Sequence, residues 1–188
     1  MSDNVVLGDR DKMTSGGRAP VASSDAWMRP AEEFRYLILA IQREGNRLFA
    51  ADLRPLGVTP SQAEVLRVLR EYQPLTLMGL GELLVCETTA SPSRLVDRLV
   101  AQGLAARETD PGDRRFVTLS LTAAGTRLEK KIGAAEEKLY DTLDRLTTQE
   151  GIDQALTLLR SVASAFPAGQ AVARRREHRP PAGRREPG

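Results

Sequence analysis

Residues 80–122 decide the fold, and they read LGELLVCETTASPSRLVDRLVAQGLAARETDPGDRRFVTLSLT. The spacing of the apolar residues predicts a short helix over 78–84, followed by a tight turn. A second helix is expected to begin near Thr88 or Ser91, because the proline after Ser91 is tolerated only in a first turn. Gly103 is expected to end that helix. The stretch therefore predicts two helices joined by a turn.

A two-stranded ribbon is predicted after the second helix. Residues 104–109 and 116–121 alternate enough to form short strands, and the DPGD segment at 110–113 contains residue types that favour turns. Arg114 and Arg115 follow this turn directly, so they are expected near the tip of the ribbon. A helix-turn-helix of this kind places its second helix in the major groove of DNA.

The polar face of the second helix carries the candidates for contact with DNA. Arg94 is suited to pair with guanine through two hydrogen bonds, and Arg98, one turn later, is suited to a phosphate. The arginines of the ribbon tip are suited to a narrow minor groove. The alternative is that Arg94, Asp97 and Arg98 form only a solvated helix face. The predicted DNA-binding residues are Thr89, Ser91, Ser93, Arg94, Arg98, Arg114 and Arg115, with Asp113 orienting Arg115.

Two helices are predicted before this stretch. The first starts at Pro30 and ends before Pro55, and its apolar stripe is expected to pack partly against another chain. Thr59 and Gln62 form a capping box for the second helix. Residues 75–77 are expected to form the first strand of a small sheet.

Two more helices are predicted after it. Thr122 is expected to cap a long helix whose apolar stripe ends at Leu146. Thr147 and Glu150 indicate a capping box for a last helix, which Pro167 terminates. The predicted fold is mainly α, in the α+β class.

The composition is that of a globular chain with one basic end. Of the 188 residues, 41% are hydrophobic and 28% are charged. No apolar run reaches the roughly 18 residues that a membrane helix needs, and the first residues lack the apolar segment of a secretory signal. Residues 168–188 hold six arginines and two glutamates. This basic end either holds DNA phosphates in a salt-dependent way or is an inert solubilising segment.

The inventory of reactive side chains argues against catalysis, metal binding and redox sensing. The one cysteine, Cys86, allows no disulfide within the chain, and it is expected to be buried and inert because sensing needs a lowered pKa and access. The one histidine, His178, lies in the basic end, so no zinc site is expected in the folded part. No phosphate-binding loop or nucleophile elbow is present. An enzyme, a cofactor and a bound metal are therefore not expected.

The segments LVDRLVAQGLAAR (95–107) and DPGDRRFVTLSLTAAG (110–125) resemble the recognition helix and wing of the MarR family of winged helix-turn-helix regulators. Asp113 and Arg115 match the Asp-x-Arg signature of the family's wing. The resemblance implies a homodimer whose N- and C-terminal helices interlock, with Arg115 of each wing in the minor groove. It also implies repression or activation of nearby genes, often relieved by a small phenolic ligand.

The resemblance implies a function and a division into parts for the whole chain. The expected protein is a cytoplasmic, nucleoid-associated regulator, a repressor that binds a pseudo-palindromic double-stranded DNA operator as a homodimer. A MarR-type domain is predicted at 29–167, between a disordered tail at 1–28 and a disordered basic tail at 168–188. Within that domain, the dimerisation helices are predicted at 29–55 and 123–167 and the DNA-binding part at 59–122.

Two further questions stay open at the level of sequence. A pocket for a small aromatic effector is expected between the first two helices and the helix after Thr122, with Tyr36, Phe49 and Leu66 in its wall, but these residues fit an ordinary core equally well. The competing function is a winged-helix module that docks a protein instead of DNA. Replacing Arg115 by alanine separates the two, because only a DNA-binding protein has duplex affinity to lose.

Overall fold

The computed structural model describes residues 28–85, 91–109 and 117–178. Within these ranges the chain is mainly helical with one small antiparallel sheet, which confirms the predicted α+β class. No helix in these ranges is long and apolar enough to cross a membrane. The elements in chain order are α1 (Pro30–Leu53), a 3-10 turn (Arg54–Leu56), α2 (Pro60–Tyr72), β1 (Leu75–Thr76), α3 (Leu77–Leu83), α4 (Pro92–Ala101), β2 (Ala105–Thr109), β3 (Val117–Leu121), α5 (Ala123–Leu146), α6 (Gln149–Ala163) and α7 (Pro167–His178).

The chain divides into two compact units, 1–39 and 40–188, with the boundary inside α1. The described part of the first unit begins at residue 28 and contains the first half of α1. There the Arg35 guanidinium lies 5.3 Å from the centre of the Tyr36 ring. The second unit contains the rest of α1 and all the other described elements. The tail predicted at 1–28 lies outside the described residues except for its last residue.

In the second unit, α2 lies at the centre of the hydrophobic core. Its apolar residues recur at helical spacing, so one broad face is buried, and it packs against α3, α4, α5 and β3. Fully burying a leucine or valine side chain contributes roughly 1.5–3 kcal/mol. The largest fully buried side chains of the core are Leu53, Val65, Leu66, Val68, Leu69, Leu80, Val96, Leu99, Leu119 and Ile132.

Threonine side chains set the starts of two long helices as predicted. The Gln62 amide donates to the Thr59 hydroxyl oxygen, and the Thr59 amide donates to the Gln62 side-chain oxygen, which confirms the capping box of α2. At α5, the Gly125 amide donates to the Thr122 hydroxyl oxygen. These local bonds satisfy amides that have no partner within the helix.

The cap of α6 lies one residue later than predicted. Thr148, rather than Thr147, accepts a hydrogen bond from the Gly151 amide. The Thr147 hydroxyl instead donates to the Leu143 carbonyl of α5. Thr147 is engaged by the preceding helix, so the next threonine caps the following one.

The sheet has the strand order β1-β3-β2, and both pairings are antiparallel. β1 pairs Leu75 with Leu119, and the ribbon pairs Ala105 with Leu121. The predicted first strand is one residue too long, because Leu77 begins α3. The Thr76 hydroxyl accepts from an amide of that helix and so ends the strand.

α5 starts directly against the base of the ribbon. The Thr122 amide donates to the Leu104 carbonyl at 3.1 Å. A Cβ atom on Gly125 would collide with the same carbonyl oxygen. The close approach of α5 to the residues that lead into β2 therefore requires glycine at this position.

The first part of the basic segment is helical. Pro167–His178 form α7, so the prediction of a disordered tail is wrong for residues 168–178. Proline suits the first position of a helix, and Pro167 begins α7. The preceding helix α6 already ends at Ala163, so Pro167 does not terminate it directly as predicted. A Cβ atom on Gly169 would collide with the Ala163 carbonyl oxygen, so glycine permits the tight corner between α6 and α7.

An ion cluster joins α2 to α5. The Arg67 guanidinium pairs with the buried Glu129 carboxylate and lies 2.8 Å from the Glu136 carboxylate. Burial lowers the pKa of Arg67, but Glu136 and Glu129 outweigh it, so the pKa is raised above its ordinary value. The pKa of Glu136 is raised above its ordinary value, mainly by burial. Arg67 offsets only part of this effect, and the neighbouring Glu129 adds to it.

Candidate nucleic-acid interface

One apolar face holds α4 in place. Leu95, Val96 and Leu99 are buried, with at most 3% of each exposed. Ser91 is the N-cap residue and a proline occupies the first helical position, which selects the second of the two starts, Thr88 and Ser91, that the sequence left open. Gly103 follows the helix with a φ of 68°, a conformation that favours glycine. The opposite face of α4 is therefore directed away from the core.

That outward face carries four of the predicted DNA-contacting residues. Ser91, Arg94 and Arg98 are exposed, and Ser93 is half-buried. The two arginines are four positions apart and so share one side of the helix. Within the described ranges, neither guanidinium is ion-paired, which leaves both available to donate hydrogen bonds to a base edge or a phosphate.

The acid on α4 is neutralised by the ribbon. A guanidinium nitrogen of Arg107, on β2, lies 2.7 Å from the Asp97 carboxylate. Both side chains are partly exposed, so the pair adds little to stability. The pair instead neutralises the negative charge of Asp97, which would otherwise repel phosphates beside Arg94 and Arg98. Arg107 was not among the predicted site residues, since a pairing between a helix and a strand leaves no local signal in the sequence.

The ribbon is described up to the ends of its strands. β2 and β3 pair in continuous register from Ala105 with Leu121 to Thr109 with Val117. The Thr109–Val117 pair is the last pair of the ribbon within the described residues, and it lies at the opposite end from the Ala105–Leu121 pair beside α5. The predicted sites in that connection lie outside the described residues: Asp113, Arg114 and Arg115. Cys86 and Thr89, between α3 and α4, lie outside them as well.

The residues expected around an effector pocket occupy different environments. Leu66 is fully buried in the core, and Phe49 packs against that core. Tyr36 belongs to the first unit and is about half exposed. Leu66 and Phe49 thus contribute to the hydrophobic core of the second unit, and a role in ligand binding stays a prediction for all three.

Comparison with known proteins gives consistent matches. A family model described as MarR family matches residues 56–115, which include α2, α3, α4 and β2. The organic hydroperoxide resistance transcriptional regulator of Bacillus subtilis (strain 168) is 31% identical over 105 residues, covering 55% of this chain and 70% of the relative. The multiple antibiotic resistance protein MarR of Escherichia coli (strain K12) is 29% identical over 127 residues, covering 67% of this chain and 88% of the relative.

A solved structure matches as well. The crystal structure of a mutant MarR from E. coli complexed with operator DNA aligns with a TM-score of 0.62 and 27% sequence identity, over 69% of this chain and 93% of that chain. The match extends well beyond the recognition helix and wing. The resemblance drawn from residues 95–125 is therefore confirmed, and the chain belongs to the MarR family of winged-helix transcriptional regulators.

Proposed function

We propose that this regulator binds double-stranded DNA in a sequence-specific manner, with α4 in the major groove. The observation that carries the proposal is the outward face of α4. Arg94 and Arg98 project from it without an ion-pair partner among the described residues, while Asp97 is neutralised by Arg107. A face with this charge attracts phosphates, and arginine beside serine hydroxyls can distinguish base edges.

The residues divide into two roles under this proposal. Arg94 reads a guanine, with Ser91 and Ser93 bonding to neighbouring bases or phosphates, because these residues lie at the N-terminal end of α4 that enters the groove. Arg98, one turn further along, contacts a phosphate and fixes the register. The proposal also includes four predicted residues that lie outside the described ranges. They are Thr89, Arg114 and Arg115 as DNA contacts, the two arginines in the minor groove, and Asp113 as the residue that orients Arg115.

A homodimer is the second part of the proposal. In the second unit, α5 and α6 leave many apolar side chains open to water, and α6 contains no buried residue. A cluster of exposed apolar side chains is typical of a protein interface. We expect a dimer formed through this surface to bind half-sites about 34 Å apart, one turn of DNA. The exposed large apolar residues of α5 and α6 are Tyr140, Leu143, Leu146, Leu156, Leu158, Leu159 and Val162, and the exposed Phe166 follows α6.

The third part concerns regulation. We propose that the dimer represses nearby genes and that a small aromatic ligand releases it from DNA. Family membership supports this part, and Tyr36, Phe49 and Leu66 remain the proposed contacts. The test is to add a panel of hydroxybenzoates to the preformed DNA complex. Release by at least one compound, with saturation, is expected, and a complex unaffected at millimolar concentrations of every compound would contradict it.

The DNA proposal is tested by comparing two variants that lose the same charge. Arg94→Gln removes a guanidinium from the outward face of α4, and Lys131→Gln removes a cation from the exposed side of α5. Fluorescence anisotropy with duplexes from the upstream region of the protein's own gene gives the dissociation constants. Wild type should prefer the operator over random duplex by about a thousandfold or more.

The two variants should differ in their preference for the operator over random duplex. Arg94→Gln should lose about tenfold or more of the operator affinity, since a bidentate pair contributes about 1–3 kcal/mol of base discrimination. Lys131→Gln should retain the preference of the wild type. Equal, small losses on every duplex for both variants would show that only net charge matters, and the proposal would then fail.

A further inference from the structure

α7 contacts the helix-turn-helix at the point where α3 ends. The last carbonyls of a helix have no partner within it, and α3 has only seven residues. Nε of Arg175 donates to the Leu83 carbonyl at 2.6 Å, and Arg174 donates to the Glu82 carbonyl at 3.2 Å. A helix nearly a hundred residues away in sequence thus caps the C-terminal end of α3, where a positive charge also favours the helix dipole.

Arg175 is held by three separate contacts. Besides Leu83, its guanidinium pairs with the Glu64 carboxylate of α2, and its own carbonyl accepts a hydrogen bond from the Tyr72 hydroxyl at 2.8 Å. The Glu64 side chain is only 10% exposed. Its oxygen that pairs with Arg175 also accepts from the Val85 amide at 2.8 Å. One guanidinium and one carboxylate therefore fix the chain just beyond α3.

These contacts lie close to the proposed DNA-reading end of α4. A Cβ atom placed on Gly81 would lie 3.9 Å from the ring of Pro92, the first residue of α4. The second half of α3 and the start of α4 thus lie side by side within the described residues. A displacement of α3 would be transmitted to Pro92 and to the serines on either side of it.

We propose that Arg175 is a positioning residue for DNA recognition: through Leu83, Glu64 and Val85 it fixes the end of α3 and thereby the placement of the N-terminal end of α4. The inference rests on the proposed DNA-binding function. It assigns part of the basic C-terminal segment a defined structural role, which differs from general attraction of that segment to phosphates. Arg175 itself does not contact DNA under this proposal.

The neighbouring arginine provides a matched control. Arg176 is exposed, lies on the same helix and has no ion pair within the described ranges. Arg176→Gln therefore removes the same charge but leaves the contacts of Arg175 with Leu83 and Glu64 in place. Wild type, Arg175→Gln and Arg176→Gln are compared in three measurements. These are anisotropy with operator and random duplexes at one salt concentration, thermal unfolding, and hydrogen exchange at the Val85 amide.

Arg175→Gln should weaken operator binding about tenfold, within the range found for residues that act on binding without touching the ligand. Its affinity for random duplex should stay close to that of wild type, and the Val85 amide should exchange faster. Arg176→Gln should keep both the operator preference and the slow exchange. Equal weakening by the two variants on both duplexes would overturn the proposal, because the segment would then act through charge alone.

A conservative variant covers the case in which Arg175→Gln fails to fold. Arg175→Lys keeps the charge beside Glu64 but lacks the rigid fork that also reaches the Leu83 carbonyl. An intermediate operator preference with intermediate Val85 exchange supports the positioning role, and values equal to wild type contradict it. If wild type itself shows no operator preference, the proposed function fails. The exchange of Val85 then still decides whether Arg175 fixes the end of α3.

Discussion

α4 and α6 are both amphipathic helices, but the chain covers the apolar face of only one of them. In α4, Leu95, Val96 and Leu99 are buried in the core, and the polar face with its arginines is open. In α6, no residue is buried, and leucines and a valine are exposed along the helix. The same type of sequence pattern thus yields an internal contact in one region and an open surface in the other.

The difference indicates which surface each region offers to a partner. A helix whose apolar face is covered within the chain has only its polar face available, and in α4 that face is positive. A helix whose apolar face is open offers apolar area, which is suited to another protein surface. This difference supports the proposals that α4 contacts DNA and that α6 contacts a second copy of the chain.

The largest effect is expected from truncating the covered face. Leu99→Ala should lower the free energy of unfolding by about 2–5 kcal/mol, since it leaves a cavity in a close-packed core. Leu99 is fully buried, whereas Leu159 on α6 is 39% exposed. Urea unfolding at two protein concentrations provides the measurement. Leu159→Ala should destabilise mainly the dimer, so its effect should depend on protein concentration. Equal losses for both variants at both concentrations would contradict the difference between the covered face of α4 and the open face of α6.

The next effect concerns the open face. Leu159→Glu places a charge in the proposed dimer interface and should convert dimers into monomers at micromolar concentration. Sedimentation velocity measures the change. Met78→Glu is the control, because Met78 is 77% exposed on α3, outside the proposed interface. A Leu159→Glu protein that stays dimeric would show that α6 does not form the interface.

A smaller effect is expected at the pair between α4 and the ribbon. Arg107→Ala leaves the Asp97 carboxylate without its partner, so DNA affinity should fall several-fold at low salt and less at high salt. Adding Asp97→Asn to the same protein should restore most of the loss, because it removes the uncovered charge. Anisotropy on the operator duplex measures both. If the double variant binds as weakly as Arg107→Ala alone, Arg107 contacts DNA directly and charge neutralisation is not its role.

The smallest effect is a pH dependence at the ion cluster between α2 and α5. Because the pKa of Glu136 in the folded state lies above its ordinary value of 4.5, protonation of the Glu136 carboxylate stabilises the folded state. That stabilisation is present below the ordinary pKa and is lost as the pH rises through the folded-state pKa. Wild type should therefore lose stability relative to Glu136→Gln as the pH rises above 4.5 and through the raised pKa of Glu136.

Urea unfolding across this range measures the relative stability. Glu137→Gln, which removes the same charge from an exposed position on α5, serves as the control. A wild type that gains stability relative to Glu136→Gln as the pH rises would show that attraction to Arg67 outweighs the burial of Glu136.

The parts of the fold that depend on local chemistry could be predicted from the sequence. Thr59 with Gln62, Thr122 and Gly103 have short-range roles, and the structure places helix ends at these positions. The face of α4 followed from the spacing of its leucines and valines. In the same way, the outward positions of Arg94 and Arg98 follow from the helical period.

The parts that depend on distant residues could not be predicted. Arg175 and Glu64 are 111 positions apart, and no pattern near either residue indicates the other. Arg107 and Asp97 form their pair only once the ribbon folds against α4. The sequence does not predict α7, because an arginine-rich segment with few large apolar residues has little to bury, although Pro167 followed by alanines and arginines is compatible with a helix start.

Hydroxyl-radical footprinting on the upstream region of the protein's own gene tests the central claim most directly, since it reports where α4 and the wing meet DNA and how many copies bind. The account predicts two protected patches related by approximate two-fold symmetry, with centres about one helical turn, roughly 34 Å, apart. Arg94→Gln should require about tenfold more protein for the same protection. Protection that is uniform along the duplex, or absent at concentrations that saturate non-specific binding, would contradict sequence-specific recognition by a dimer.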